Sequence, residues 1–317
     1  MTANVDTMFY HGARPWHGLG VALDHPATAE EAMKAAGLDW TVELVSATAC
    51  GLPIPRAQAV VRSDRQEPLG IAGTRFQPIQ NRVAFRFMDH LVGEGKAVYT
   101  TAGSLSGGRR VWMLARIPGD LWVTEEDNVG KYLLLVNPHY AGSSCLVFFT
   151  GIRAVCDNTV RAAISEAKGS MVRIRHAGDI DAQVEDARRV LGISLKYFDG
   201  FQEQAREFAR LPLLNEHVAR YFESVVPDPQ GADPSRAKAT RDRLLQLFET
   251  GKGNALPSVR GSLWAAVNAV AQFVDHERPT RTWSGESEAL KRFESAQFGS
   301  GGALRERAWN EALGLLA

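Results

Sequence analysis

The chain has 317 residues, enough for two domains or one large domain, each with its own hydrophobic core. Hydrophobic residues make up 45% of it and charged residues 23%, which excludes disorder over most of its length. Lysine plus arginine and aspartate plus glutamate both number 36. The bulk charge therefore excludes a nucleic-acid binder that works through overall positive charge, and any such function needs a local basic patch.

Cysteine usage and the shortness of the apolar runs predict where the protein works. Cys50, Cys145 and Cys156 form no CxxC pair, which is typical of free thiols in a reducing compartment. The first twenty residues lack a basic start followed by an apolar run, and apolar runs such as 145–149 are far shorter than a membrane span. We expect a cytoplasmic protein without a signal peptide or a membrane segment.

The first half of the sequence alternates between strand and helix patterns. Thr28 and Glu31 form a capping box that predicts a short helix ending near Gly37, and Asn81 begins a second predicted helix that ends at Gly93. A third helix is predicted over 159–167. Strand or extended patterns cover residues 40–47, 57–62, 69–79, 97–105, 109–117, 132–137, 144–155 and 171–175.

From Asp179 onward only helical patterns remain, separated by prolines and glycines. They cover residues 180–209, 215–225, 235–249, 259–277, 286–297 and 303–316. The sequence therefore predicts an α+β fold. Helices pack on an antiparallel sheet in an N-terminal domain, residues 1–178, and an all-helical C-terminal domain follows, residues 179–317.

The stretch AGSLSGGRRVWMLARIP, residues 102–118, has the glycines of a phosphate-binding loop but not its sequence. A P-loop requires GxxxxGK[ST] between a strand and a helix, whereas here two arginines and then a strand follow the glycines. Strand, glycines and strand are typical of a β-hairpin. Arg109 and Arg110 at its base either cover a solvated strand end or contact phosphate groups.

Basic side chains cluster in the first domain although the whole chain is neutral. Residues 61–119 contain nine basic and four acidic side chains, and residues 153–175 contain five basic and two acidic ones. Arginine, whose planar guanidinium suits phosphate oxygens, dominates both windows. If these elements converge, they form a basic groove with Trp112 or Tyr99 available for stacking, although a sheet edge protected by charge gives the same pattern. The candidate groove residues are Arg109, Arg110, Trp112, Arg153, Arg161, Lys168, Arg173 and Arg175.

No motif in the sequence predicts a metal, a cofactor or a catalytic residue. The histidines near the N-terminus match no zinc-binding spacing. Asp275-His276-Glu277 ends a predicted helix, and without a nucleophile motif nearby it favours capping of the helix end by a cation over acid–base chemistry. The glycines within 299–302 either expose backbone N–H groups to an anion or form a tight turn between helices.

Five stretches in different parts of the chain carry a resemblance to a known family. They are FQPIQNRVAFRFMDHLVGEG (76–95), AGSLSGGRRVWMLARIP (102–118), GIRAVCDNTVRAAI (151–164), SLWAAVNAVAQFVDHER (262–278) and RFESAQFGSGGALRERA (292–308). In these stretches the sequence resembles the phage/plasmid-like protein family, a domain-of-unknown-function group common in actinobacterial phages and plasmids. That resemblance implies no particular activity.

The predicted hairpin, the further antiparallel strands and a helix packed across them are similar to the fold of single-strand annealing recombinases. Those proteins form rings that hold single-stranded DNA in a basic groove. This resemblance implies a groove on the hairpin, at Arg109 and Arg110, and on the elements after residue 158, at Arg161, Lys168, Arg173 and Arg175.

These patterns predict a non-enzymatic protein of a mobile element that binds single-stranded DNA through its phosphates. It would anneal or protect the strand during recombination or replication, as a homo-oligomer. A protein-interaction module that acts on a host defence or replication complex is the alternative, because the chain is neutral and its long helical half offers grooves for partners. An enzyme built around His276 is a third hypothesis.

Overall fold

The structure is a computed structural model of the chain. It describes residues 5–12, 20–91, 98–153, 159–160, 171–193, 196–281, 288, 291–292, 295–296 and 299–316. The strands are β1 (Val5–His11), β2 (Val21–Leu23), β3 (Val42–Ala49), β4 (Leu52–Arg62), β5 (Glu67–Gly73), β6 (Val98–Leu105), β7 (Arg110–Trp122), β8 (Asn128–Pro138), β9 (Cys145–Arg153), β10 (Thr159–Val160) and β11 (Met171–Ile174). The helices are α1 (Ala29–Ala35), α2 (Asn81–Leu91), α3 (Ile180–Ile193), α4 (Lys196–Arg210), α5 (Asn215–Val225), α6 (Ser235–Thr250), α7 (Leu263–Gln272) and α8 (Ser300–Gly314).

The strands form two sheets. The larger has eight strands in the order β10-β9-β8-β7-β6-β1-β2, with β11 also paired to β9. β6 pairs antiparallel with β1 and β7, β9 pairs antiparallel with β10 and β11, and β1 pairs parallel with β2. The smaller sheet is antiparallel, in the order β3-β4-β5. The predicted α+β class is confirmed.

The described chain divides into two compact units that do not follow a single boundary in the sequence. Unit 1 comprises residues 1–118, 132–149 and 168–194, and unit 2 comprises residues 119–131, 150–167 and 195–317. The helices from α4 onward all belong to unit 2, as a helical C-terminal half predicts. Unit 2 also includes two segments that precede residue 178, so the predicted division is only partly observed.

Unit 1 buries apolar residues of both predicted helices, α1 and α2. The capping box at the start of α1 is confirmed, because Thr28 Oγ1 accepts from the Glu31 N–H and Glu31 Oε2 accepts from the Thr28 N–H. Phe85, Phe87 and Met88 of α2 are buried, and Tyr99 of β6 donates its hydroxyl proton to the Phe85 carbonyl at 3.1 Å. Local sequence signals thus define both helices.

Buried polar side chains from β8 and the residue after it hold the segment that leads into α2. Asn137 Nδ2 donates to the Ile79 carbonyl at 2.7 Å, and His139 Nε2 lies 2.9 Å from Asn81 Oδ1. Because Asn81 Nδ2 donates to the Leu38 carbonyl, Asn81 Oδ1 is left to accept from His139. His139 therefore sits in the core as a neutral imidazole. Burial, with a smaller contribution from His176, lowers the pKa of His139 to about 3.

Unit 2 is built around a helix that is buried on every side. All residues from Leu263 to Ala271 in α7 are buried, and the Ser262 hydroxyl caps the helix by accepting from the Ala265 N–H. Trp264 of α7 and Trp309 of α8 meet edge to face with ring centres 6.2 Å apart. In the part of the chain that the structure describes, no helix has the length and apolar character needed to cross a membrane.

Several predicted elements are corrected by the structure. Thr159 and Val160, predicted to begin a helix, instead form β10 against Ile152 and Gly151, and the rest of that predicted helix lies outside the described residues. Both residues are β-branched and suit the open edge of β9. The predicted helix 180–209 is observed as α3 and α4, and 259–277 as α7 followed by a π-helical turn at Phe273–Glu277.

The neutral His139 predicts a loss of stability in mild acid. Below its ordinary pKa of 6.5 the unfolded chain binds a proton at His139 that the folded protein binds only near pH 3. The free energy of unfolding therefore falls between these values as the pH is lowered. We expect the fall from pH 7.5 to pH 5.0 to be smaller by about 2 kcal/mol in His139→Gln, measured by urea unfolding.

Glutamine keeps an N–H that can donate to Asn81, so the variant removes the titration more than the contact. His217→Gln, at an exposed position of α5, is the matched control and should show the wild-type fall. An equal fall in His139→Gln and the wild type would show that His139 is not kept neutral by folding.

Candidate nucleic-acid interface

The turn between β6 and β7 is a hairpin, as the sequence predicts. Ser106, Gly107 and Gly108 have left-handed backbone angles, with φ of +55°, +73° and +98°. A Cβ atom on Gly108 would lie 2.9 Å from the Trp40 ring, so both conformation and space require glycine there. The turn places Arg109 and Arg110 at the start of β7.

Arg109 and Arg110 contact a tyrosine from the loop that follows β8. The His139 N–H donates to the Arg109 carbonyl at 2.8 Å, which brings the end of β8 beside the start of β7. The Arg109 guanidinium lies 5.2 Å from the centre of the Tyr140 ring, and Arg110 Nη2 donates to the Tyr140 hydroxyl at 2.7 Å. Arg109 is exposed, and Arg110 and Tyr140 are partly exposed. The three side chains form a cationic and aromatic corner of unit 1.

β11 brings two further predicted arginines to the same end of the sheet. The loop after Tyr140 leads into β9, and Cys145 at the start of β9 pairs with Ile174 at the end of β11. Arg173 and Arg175 flank Ile174, so they point to the opposite face from it, and both are exposed. β8 and β9 separate β7 from β11, so these strands lie roughly 15 Å apart at about 4.8 Å per step.

We define the arginine end of unit 1 as Arg109, Arg110, Arg173, Arg175 and Tyr140. Within the residues that the structure describes, no carboxylate forms an ion pair with Arg109, Arg173 or Arg175. Exposed arginines of the helices behave differently: Arg189, Arg210 and Arg220 each pair with a carboxylate on the same helix, about one turn away. Among the described residues, Arg109, Arg173 and Arg175 are therefore cations of the arginine end that no carboxylate neutralises.

The aromatic residues predicted for stacking are not at the surface. Trp112 is only 7% exposed and Tyr99 is fully buried, so neither can stack on a base, and the assignment of Trp112 to the groove is wrong. Trp112 pairs across the hairpin with Gly103, and a Cβ on Gly103 would lie 3.2 Å from its ring. The small residue opposite thus makes room for the indole in the core. Tyr140, which sequence reasoning missed, is the aromatic residue of the arginine end.

Arg153 is also misassigned by the sequence, because it is completely buried in unit 2. Its Nε lies 2.8 Å from both carboxylate oxygens of Asp127, which is also fully buried. Trp264 Nε1 donates to the same carboxylate at 2.7 Å. A guanidinium that is shielded from water and neutralised by a carboxylate cannot reach a phosphate group. Arg153 is therefore part of the core.

A loop between α6 and α7 completes the surroundings of Arg153. Arg153 Nη2 donates to the Gly253 carbonyl at 2.9 Å, and Nη1 donates to Asn254 Oδ1 at 3.2 Å. Gly253 has a φ of +75°, and a Cβ there would lie 3.0 Å from the guanidinium carbon. Asn254 in turn donates to the carbonyls of Leu247 and Ala265. The buried charge is fully hydrogen-bonded, which is the condition for its stability in a core.

Arg161 and Lys168, the remaining predicted groove residues, lie outside the described residues.

The carboxylates beside His276 are both engaged: Asp275 accepts from Arg305 Nη1 at 2.7 Å, and Glu277 accepts from Arg243 Nε at 2.6 Å. Each carboxylate is paired with an arginine rather than poised beside a reacting group. This arrangement favours a structural role for the Asp275-His276-Glu277 motif.

The surroundings of the other candidate motifs also favour structural roles. Gly301 is buried in the first turn of α8, and a Cβ there would lie 3.0 Å from the Ala296 Cα, so glycine allows close packing at the start of this helix. Cys145 is buried, which raises the pKa of its thiol to about 12 and keeps it protonated. Cys156 lies outside the described residues. Among the residues that are described, no three His, Cys, Asp or Glu side chains are placed to hold a metal ion.

Comparison with known proteins identifies the family of the chain. A family model described as a domain of unknown function, DUF932, matches residues 68–297, which is most of the 317 residues. The chain belongs to the DUF932 family. The DUF932 region runs from β5 past α7 and contains both the arginine end and the buried Arg153–Asp127 pair. No curated protein and no solved structure matches the chain.

The burial of Arg153 predicts a large and specific loss of stability on its removal. Arg153→Met leaves the Asp127 carboxylate buried without its cation, and we expect the free energy of unfolding to fall by about 3–5 kcal/mol. Adding Asp127→Asn removes the buried charge but keeps an acceptor for Trp264, so the double variant should be more stable than Arg153→Met. Urea unfolding measures both.

Arg189→Met removes an arginine from an exposed pair with Asp186 and is the matched control, with an expected loss below about 1 kcal/mol. Wild-type stability in Arg153→Met would contradict the buried assignment and return Arg153 to the set of surface cations.

Proposed function

We propose that this chain is a mobile-element protein that binds single-stranded DNA through phosphate groups at the arginine end of unit 1. The guanidiniums of Arg109, Arg173 and Arg175, which no carboxylate of the described residues neutralises, carry this proposal. A guanidinium that neutralises a phosphate group releases a cation condensed on the nucleic acid, and the entropy of that release favours binding. Origin in phages or plasmids is supported by the resemblance of the five stretches quoted above.

The geometry of the arginine end suits a single strand. Arg109 and Arg175 come from elements roughly 15 Å apart, a distance that a few nucleotides of a single strand span. Tyr140 lies between these elements in the chain and is partly exposed, and a tyrosine ring can stack on a base without regard to its sequence. Cations for phosphates and a ring for bases are the two components of sequence-independent single-strand binding.

We further propose that the protein anneals or protects the strand as a homo-oligomer. Four arginines at one end of a sheet contact only a few phosphates, so a single copy binds weakly at physiological salt. Copies arranged side by side along a strand multiply the contacts without any new interaction, which raises the overall affinity. This part of the proposal follows from the small size of the arginine end.

Charge reversal at the arginine end should abolish most of the binding. In Arg109→Glu/Arg175→Glu, each lost contact costs on the order of tenfold in affinity for a labelled oligo(dT), since a phosphate pair is replaced by a repulsion. The slope of log affinity against log salt should also become shallower by about 1.4, or about 0.7 for each of two contacts. Fluorescence anisotropy over a series of salt concentrations measures both quantities.

Arg189→Glu/Arg220→Glu reverses two exposed arginines outside the arginine end and is the matched control, with wild-type binding expected. Wild-type protein that does not bind oligo(dT), or that binds it equally at all salt concentrations, would overturn the proposal.

A second function, recognition of a host protein, is favoured by the smaller sheet. Val45, Ala59 and Ile71 lie directly opposite one another on β3, β4 and β5 and so form one row on one face. Val45 is 47% and Ile71 64% exposed, so this row presents a branched apolar residue to solvent on each outer strand, with Ala59 between them. In a pull-down from host lysate after nuclease treatment, the wild type should retain one stoichiometric protein and Val45→Asp/Ile71→Asp should lose it. Retention by both, or by neither, would contradict this function.

A further inference from the structure

Unit 2 contains a groove that the proposed function does not use. Two adjoining cavities of about 520 and 490 Å³ share the turn after β7 and one face of α4. Their volumes fall in the range of small-molecule sites. All the lining residues belong to unit 2, and the ones that matter chemically are Trp122, Glu125, Glu126, Arg206, Arg210 and Ser258. We call this the Trp122 groove.

Trp122 gives the groove an open aromatic face. It is 50% exposed and is the one aromatic residue among the large exposed hydrophobic side chains of the described chain. Its backbone is fixed, because its carbonyl accepts from Gln202 Nε2 at 3.0 Å and from Arg206 Nε at 2.9 Å. A solvated indole on a hydrogen-bonded backbone is a platform on which a planar ring can stack.

Two arginines stand beside this platform. Arg206 and Arg210 are four residues apart on α4, so they share one helix face about 6 Å apart along the axis. Both are exposed. Arg206 Nε donates to the Trp122 carbonyl, and Arg210 Nη1 donates to the Glu207 carboxylate at the surface. Guanidiniums keep further donors when one is engaged, which suits them to an anion.

The carboxylates of the groove are not equivalent. Glu126 Oε2 accepts from the Ser258 hydroxyl at 2.8 Å and from the Ser258 N–H at 3.3 Å, so this side chain ties two loops together. Glu125 is exposed and has no hydrogen bond or ion pair within the described residues. It is thus the one acidic side chain of the groove that is free to oppose an incoming anion or to attract a cation.

We propose that the Trp122 groove binds one nucleotide of a single-stranded nucleic acid, with the base stacked on Trp122 and its phosphate on Arg206 and Arg210. This rests on the proposed function and adds to it a base-stacking site in unit 2. An aromatic platform with two cations one helical turn apart fits a planar ring joined to an anion better than it fits an aliphatic or cationic ligand. Glu125 limits the affinity of this site.

The test follows oligo(dT) binding by anisotropy and by tryptophan fluorescence. Trp122→Ala should weaken binding roughly tenfold, within the range measured for loss of one stacked base, whereas Trp122→Phe keeps a ring and should bind within about threefold of the wild type. Trp122→Phe should also lose the fluorescence quenching that oligo(dT) causes in the wild type. Leu214→Ala, another exposed apolar residue of unit 2, is the matched control and should bind normally.

The sign of the Glu125 effect identifies the class of ligand. Glu125→Lys should strengthen oligo(dT) binding by several-fold and steepen its salt dependence, because it replaces the opposing charge. Glu216→Lys makes the same change at an exposed site on α5 outside the groove and should have no effect. Thermal unfolding of each variant shows whether it is folded.

The outcomes separate this inference from the proposed function. Oligo(dT) binding that Arg109→Glu/Arg175→Glu weakens but Trp122→Ala leaves unchanged overturns the Trp122 groove alone. Weaker oligo(dT) binding in Glu125→Lys shows that no phosphate lies beside this position, because a cation there would attract one. Equal quenching by a mononucleotide assigns the groove to a free nucleotide. Each outcome overturns the inference. Wild-type protein that binds no oligo(dT) overturns both proposals.

Discussion

The buried pair of Arg153 and Asp127 is the constraint on which unit 2 depends. Two charges have been removed from water, and this is tolerated only because hydrogen bonds satisfy both partners. Satisfying them requires three parts of the chain to meet: the turn that carries Asp127, the end of β9 and the loop at Gly253. Trp264 donates to the same carboxylate, so the central helix α7 is positioned by the pair as well.

The same pair supports the surface that unit 2 offers, the Trp122 groove. The turn whose N–H groups at Val123 and Thr124 donate to the Asp127 carbonyl is also the turn that lines the Trp122 groove. A carboxylate locked in the core thus fixes the backbone on which an exposed indole stands. Rigid support behind a partly exposed site is what allows binding without a large cost in ordering the protein.

Sequence patterns that span a few residues predicted most of the elements. The errors lie where the structure depends on contacts between residues far apart in the chain. The capping box at Thr28, the hairpin at Gly107 and helix α5 at 215–225 were all predictable, because each depends on residues a few positions apart. β1 and β2 were missed, since their pairing joins segments whose own patterns are weak. The division into units was predicted only in part, because unit 2 also takes two early segments from strand-rich sequence.

In the candidate interface, too, residues placed by local patterns were predictable and a residue placed by distant contacts was not. Arg109 could be placed by its hairpin and Arg175 by strand alternation, so the arginine end was largely predictable. Arg153 could not be excluded from the sequence, because its burial depends on Asp127, 26 residues away, and on Gly253, 100 residues away. Tyr140 carried no signal beyond being a single aromatic residue in a loop.

The long separation between Arg153 and its carbonyl ligands bears on how the chain folds during synthesis. Asp127 and Arg153 leave the ribosome about 100 residues before Gly253 and Asn254 do. Before that loop has been synthesised, the guanidinium lacks acceptors that compensate for its removal from water. The end of β9 therefore stays incompletely assembled, although the preceding strands have already been made. High contact order of this kind makes folding slow and leaves strand edges open to wrong pairing, which places unit 2 among the structures that complete only after most of the polypeptide has been made.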